Sequence, residues 1–147
     1  MKKEEIIHAL ENARETHLRE MDKIKSLLRG KEVKDMTPMS KTKCVFGKWL
    51  LNDKEQIMSF LGAQFYEILD TVHGTWHMEY AKIHMILKQE NKKGFLSNIF
   101  GSHQVDVLEL EKAKVYYKDL ELITKEILRV LDASQRRVQA LNKSKFH

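Results

Sequence analysis

Two histidines four residues apart, in the run His73-Gly74-Thr75-Trp76-His77, are the clearest chemical signal in the chain. On a helix that spacing puts both imidazoles on one face, a turn apart, where they can share one metal ion. The plain alternative is a pair of ordinary helical histidines. Gly74 stands where a His-Glu-x-x-His zinc protease carries its general base, so that hydrolytic motif is absent. His17 interrupts an apolar series, Ile6, Leu10, Ala13, His17, Met21, Ile24 and Leu28. Burying an imidazole costs free energy unless its nitrogens are paired. His17 is therefore either a core histidine bonded to a polar neighbour or a ligand. Cys44 is the single cysteine and cannot form an internal disulfide. It is a small buried residue, a metal ligand or a reactive thiol. Its neighbours Phe46, Trp49 and Leu50 should dock into a core and carry the sulfur inward, and Gly47 permits close approach to a helix. As a set, His17, Cys44, His73 and His77 offer three nitrogens and one thiolate. That suits tetrahedral Zn²⁺ and argues against a hard cation. Four protein ligands close the coordination shell, which points to a structural or regulatory metal and to no enzymatic activity.

The elements that must position these side chains are helical. One proline, Pro38, and six glycines leave few breaks. Residues 3–29 carry the series that contains His17, and Gly30 closes that helix. Residues 30–41 form a connection around Pro38. A short helix over 42–51 carries the cysteine. Residues 53–90 form a further helix, with a break near Gly62, on the seam Phe65, Leu69, Val72, Trp76, Tyr80, Ile83 and Leu87. Residues 91–103 read as a loop whose Phe95-Leu96 and Ile99-Phe100 pairs fold back on the bundle. The last helix covers 104–142, on the seam Ala113, Tyr116, Leu120, Ile123, Ile127, Val130 or Leu131, Val138 and Leu141, and residues 143–147 fray. Amphipathic helices of this kind bury their stripes together, so an all-α, antiparallel four-helix bundle is expected, with the short helix bringing Cys44 to the core. In it the first helix can face the third, and His17 can meet His73 and His77.

A chain of 147 residues fits one domain, residues 1–147, with a core of adequate size. The formal charge of +5, from 26 basic and 21 acidic residues, is mild and interleaved, as on a solvated helical surface. It does not form a nucleic-acid footprint. No apolar run reaches the roughly 18 residues of a membrane helix, and no apolar signal region follows Met1-Lys2-Lys3-Glu4-Glu5. A cytoplasmic protein without nucleic-acid or membrane partners is expected.

The order of these residues resembles the chemoreceptor zinc-binding (CZB) domain family of bacterial signalling proteins. In that family a histidine on the first helix precedes a Cys-x-Phe-Gly-x-Trp-like motif and then His-x-x-x-His on a later helix. Here these are His17, then Cys44-Val45-Phe46-Gly47-Lys48-Trp49, then His73 to His77. The resemblance spans essentially the whole chain, and the cysteine motif is its most specific part. One position departs: Glu20 stands three residues after the first histidine, where the family usually has an aromatic or large apolar residue. The resemblance implies a regulatory domain that senses zinc, or oxidants such as hypochlorous acid, through the zinc-bound cysteine. It implies a homodimer and a signalling partner, either a chemoreceptor or a diguanylate cyclase of cyclic-di-GMP signalling. Its start at the first residue looks more like the placement in the cyclases.

Two other readings compete. A hemerythrin-like bundle also uses His-x-x-x-His pairs, but needs five histidines and several carboxylates around two irons. A metal-free basic helical adaptor leaves the four residues unexplained as a set. His84 shares the broad face of His77 and is either a spare or supporting group or, more simply, a semi-exposed polar residue. His8 competes less well for the first-helix position, being more than two turns from His17.

Overall fold

The computed structural model describes residues 1–100 and 107–142, and of residues 89–100 the backbone alone. The chain is all-α: α1 (Lys3–Leu28), α2 (Val45–Asn52), α3 (Lys54–Leu61), α4 (Ala63–Phe100) and α5 (Val107–Ala140). Among the described residues there is no strand, and no helix is long and apolar enough to cross a membrane.

Side-chain pairs fix the helix directions. Lys3 reaches the carbonyls of Gln139 and Leu141, Glu11 meets Gln135, and Arg14 pairs with Asp132, so α5 runs antiparallel to α1. Phe65 lies under Arg137, Trp76 bonds Thr124 and Lys82 sits over Tyr116, so α5 is also antiparallel to α4. α5 thus lies between α1 and α4, and α2 and α3 together fill the fourth corner, packed against all three long helices. This is an antiparallel four-helix bundle in which α1 and α4 face each other across the core. The core is built from the expected seams, including Ile6, Leu10 and Ile24 of α1, Leu69, Trp76 and Ile83 of α4, and Leu120, Ile127 and Val138 of α5.

Two boundaries differ from the sequence reading and one expected break is present. The short helix expected over 42–51 starts at Val45, because Cys44 is extended (φ −78°, ψ 150°) and caps it, its sulfur accepting from the Gly47 N–H. The span 53–90 divides into α3 and α4 at Gly62, as the break predicts. The loop expected over 91–103 is instead helical as far as Phe100. A lone Gly94 costs about 1 kcal/mol in a helix interior, which neighbouring helix formers such as Glu90, Lys92 and Lys93 outweigh. Residues 101–103, the docking of the Phe95-Leu96 and Ile99-Phe100 pairs and the fraying of 143–147 lie outside what is described.

Gly62 has φ +89° and ψ 151°, a region open essentially to glycine alone. Gly62→Ala is expected to destabilise the fold by about 1–3 kcal/mol in urea unfolding. Metal binding should be unchanged, because His73 lies about 16 Å further along the helix direction.

Candidate metal centre

Three elements deliver four side chains to one point. His17 comes from the middle of α1, Cys44 from the N-terminus of α2, and His73 and His77 from consecutive turns of α4. All four are buried, at 2, 4, 0 and 3% exposure respectively. One donor atom from each lies within 4.8 Å of the others. Among the described residues no other group of histidine, cysteine and carboxylate side chains converges in this way.

The hydrogen bonds determine which nitrogens face inward. His17 Nδ1 lies 2.6 Å from the Ala13 carbonyl and His77 Nδ1 lies 3.1 Å from the Met39 carbonyl. A carbonyl only accepts, so both Nδ1 atoms carry the proton and both Nε2 atoms present a bare lone pair. His73 Nε2 lies 3.1 Å from His77 Nε2 and 3.4 Å from Cys44 Sγ. The proton of one His73 nitrogen cannot satisfy two lone pairs and a sulfur, and His73 Nδ1 is itself buried without a hydrogen-bond partner. A Lewis acid at the centre satisfies the Nε2 lone pairs and the sulfur together, and leaves His73 Nδ1 as the N–H of its ring. Bond lengths of about 2.0–2.1 Å to nitrogen and about 2.3 Å to sulfur, set tetrahedrally, separate nitrogens by about 3.3 Å and nitrogen from sulfur by about 3.6 Å. The His73–His77 and His73–Cys44 separations are close to these values and all four donors lie within 4.8 Å of one another, so the residues present fit a four-coordinate metal.

The wall around the centre is aromatic. Phe46 stands edge-on to His73 at 4.9 Å between centroids, and Trp76 stands edge-on to His17 at 4.7 Å. Trp76 is held in turn by Thr124, 2.9 Å from its Nε1, and by stacking on Tyr80. Gly47 lets the turn before α2 close over the site, since a Cβ there would lie 1.6 Å from the Lys41 carbonyl oxygen and 3.2 Å from His73 Cε1. The clash is with backbone, so Gly47→Ala should exceed the ~1–3 kcal/mol usual for overpacking. It should also weaken metal binding, which competition with a chromophoric chelator would measure.

Burial sets the protonation states. It drives the His73 pKa down to about 2, helped by the charges of His17, His77 and Lys41, and that of His77 down to about 4. It also lowers that of His17. The histidines are therefore neutral near pH 7 and ready to ligate. Burial raises the Cys44 thiol, against the pull of the Gly47 and Phe46 N–H groups at the start of α2, so metal binding should release about one proton, from sulfur.

The same shifts make the metal-free fold acid-sensitive. Below the ordinary histidine pKa of 6.5 the unfolded chain binds protons that folded His77 and His73 refuse, until about pH 4 and about pH 2 respectively. Stability is thus full above 6.5 and falls as pH drops, by up to about 1.4 kcal/mol per pH unit for each histidine. Urea unfolding in chelator at about pH 7.5 and about pH 5 should show the lower midpoint in acid; equal midpoints would contradict these protonation states.

All four residues singled out in the sequence are thus brought together. His8 is exposed and lies apart from them, in the wall of a cavity of about 570 Å³ between α1 and α2. His84 is half-buried beside Tyr80 and outside the group of four. The sequence reading did not find the Ala13 and Met39 carbonyls or Thr124. Backbone acceptors have no residue signature, and a threonine within an apolar seam was the one available signal. Comparison of the chain with protein-family models, curated proteins and solved structures gives no match.

Proposed function

We propose that this chain is a zinc-binding sensory or regulatory domain of the chemoreceptor zinc-binding type, acting in bacterial chemotaxis or cyclic-di-GMP signalling. The observation that carries this reading is the convergence of His17, Cys44, His73 and His77, all buried, within 4.8 Å. Zinc is favoured because three imidazoles and one thiolate are a donor set that suits a tetrahedral borderline-soft ion and that magnesium, calcium and manganese disfavour. A two-iron centre would need carboxylates and further histidines, and among the described residues none joins these four. A complete set of protein ligands leaves no open position for a substrate, so the role is regulatory and not enzymatic.

Bound there, zinc would tie α1, α2 and α4 together and hold the Cys44 sulfur as thiolate. Cys44 does two jobs at once, as ligand and as the cap of α2. Cys44 is also the one residue of the four that lines the cavity between α1 and α2, which supports the approach of small reagents to that residue. Oxidation of the thiolate to a sulfenic acid removes its charge and weakens its ligation. α2, with Phe46 and Trp49, is then released from the centre. A homodimer in the cytoplasm, coupled to a chemoreceptor or a diguanylate cyclase, belongs to the same proposal. Support for a paired surface comes from the exposed Val115 and Leu122, seven residues apart on α5, and the exposed Met78 and Met85 on α4. The test is a titration of the zinc-loaded protein with hypochlorous acid. Zinc release in step with loss of the Cys44 thiol is expected. Zinc retained after the thiol is consumed would contradict oxidant sensing, and an equal response to zinc depletion and repletion without oxidant would assign the signal to zinc itself.

A further inference from the structure

Glu20 is a carboxylate buried to 4% exposure on α1, one turn beyond His17. Acidic side chains are almost never so buried unless paired. Both of its oxygens are used. Oε1 accepts from Lys23 Nζ at 2.9 Å, and Oε2 accepts from the backbone N–H of Thr37 at 3.1 Å. Lys23 Nζ also donates to the Asp35 carbonyl at 2.7 Å, and Asp35 is the one non-glycine residue described with positive φ, at 59°. From the opposite side of the bundle, Tyr80 of α4 donates its hydroxyl to the Thr37 carbonyl at 2.9 Å. The Thr37 residue is therefore clamped at both ends, its N–H by α1 and its C=O by α4. Two residues on, the Met39 carbonyl accepts from His77 Nδ1.

We propose that Glu20 is a positioning residue of the metal centre: with Tyr80 it latches the connection between α1 and α2 across the core, so that the Met39 carbonyl holds the His77 ring in its ligating tautomer and orientation. The proposal rests on the zinc reading above and adds a route by which the centre is felt elsewhere in the chain. A carbonyl that orients a ligating imidazole favours the metal-bound state, and by reciprocity the bound metal favours the latched connection. Residues 31–41 thus form the segment whose order follows metal occupancy. Lys41 closes the same segment by pairing with Asp70 of α4 at 3.0 Å.

The test compares wild type, Glu20→Ala, Glu20→Gln and Tyr80→Phe. Zinc affinity is read by chelator competition, and amide hydrogen exchange at Thr37 and Met39 is read with and without zinc. Loss of the supporting partner should weaken zinc by about 10–100-fold in Glu20→Ala. Glutamine keeps an acceptor for the Thr37 N–H and should restore affinity to within about threefold. Zinc should slow exchange at Thr37 and Met39 in the wild type and not in Glu20→Ala. Wild-type affinity in Glu20→Ala overturns the proposal, as does an equal loss in the alanine and glutamine variants with exchange at Thr37 unchanged. If Glu20→Ala does not fold, Tyr80→Phe decides: it removes only the bond to the Thr37 carbonyl, so weaker zinc binding with faster Thr37 exchange supports the latch, and unchanged values overturn it. Failure of the wild type to bind zinc in the same assay refutes the zinc reading, an outcome separate from any of these.

Discussion

Cys44→Ala is expected to weaken zinc binding by more than about 100-fold, beyond the range that loss of a group supporting a ligand costs. Cys44 is the only anionic donor of the four, and its removal leaves three neutral imidazoles in a buried site. Alanine also removes the cap of α2, a loss of about 1 kcal/mol by itself. Cys44→Ser separates the two effects. A serine hydroxyl caps a helix well, so the serine variant should keep the metal-free stability of the wild type and still lose zinc. Isothermal titration with a competing chelator reads the affinity, and urea unfolding in chelator reads the cap. Tight zinc binding in the serine variant would remove sulfur from the ligand set.

Removing the metal should lower the melting temperature by on the order of 10 °C. A ligand present at a thousand times its dissociation constant stabilises the folded state by about 4 kcal/mol, and for a chain of this size each kcal/mol moves the midpoint by about 2–4 °C. The fold should survive the loss. Trp76, Tyr80, Leu120 and Ile127 are fully buried without help from the metal, and α5, the helix that packs along both α1 and α4, supplies no ligand. Circular dichroism melts with and without chelator at neutral pH test this. Identical melting curves would mean that the four side chains hold nothing that matters to stability.

How far the sequence could be read depended on the kind of contact. The apolar seams of α1, α4 and α5 were legible because each repeats over many turns, so a single wrong assignment does not change the face. The four ligands were legible because His17 breaks one such seam and His73 and His77 share a face. Cys44 followed from the docking residues around it. The loop expected over 91–103 was misread because Asn91, Lys92, Lys93 and Gly94 together look like a turn, while a helix already propagating from residue 63 absorbs one glycine cheaply. The tautomer-setting carbonyls of Ala13 and Met39 were illegible, since any residue could supply them. Glu20 was visible as a departure in the sequence, but its meaning required knowing that Thr37 and Tyr80 lie opposite.

His17, Cys44, His73 and His77 are expected to bind one zinc ion between them. Elemental analysis of protein purified without added metal tests it most directly. About one zinc per chain is expected, the stoichiometry of a single four-coordinate site. Absence of metal that persists after incubation with zinc, or iron at about two per chain as in a dinuclear carboxylate-bridged bundle, would contradict it.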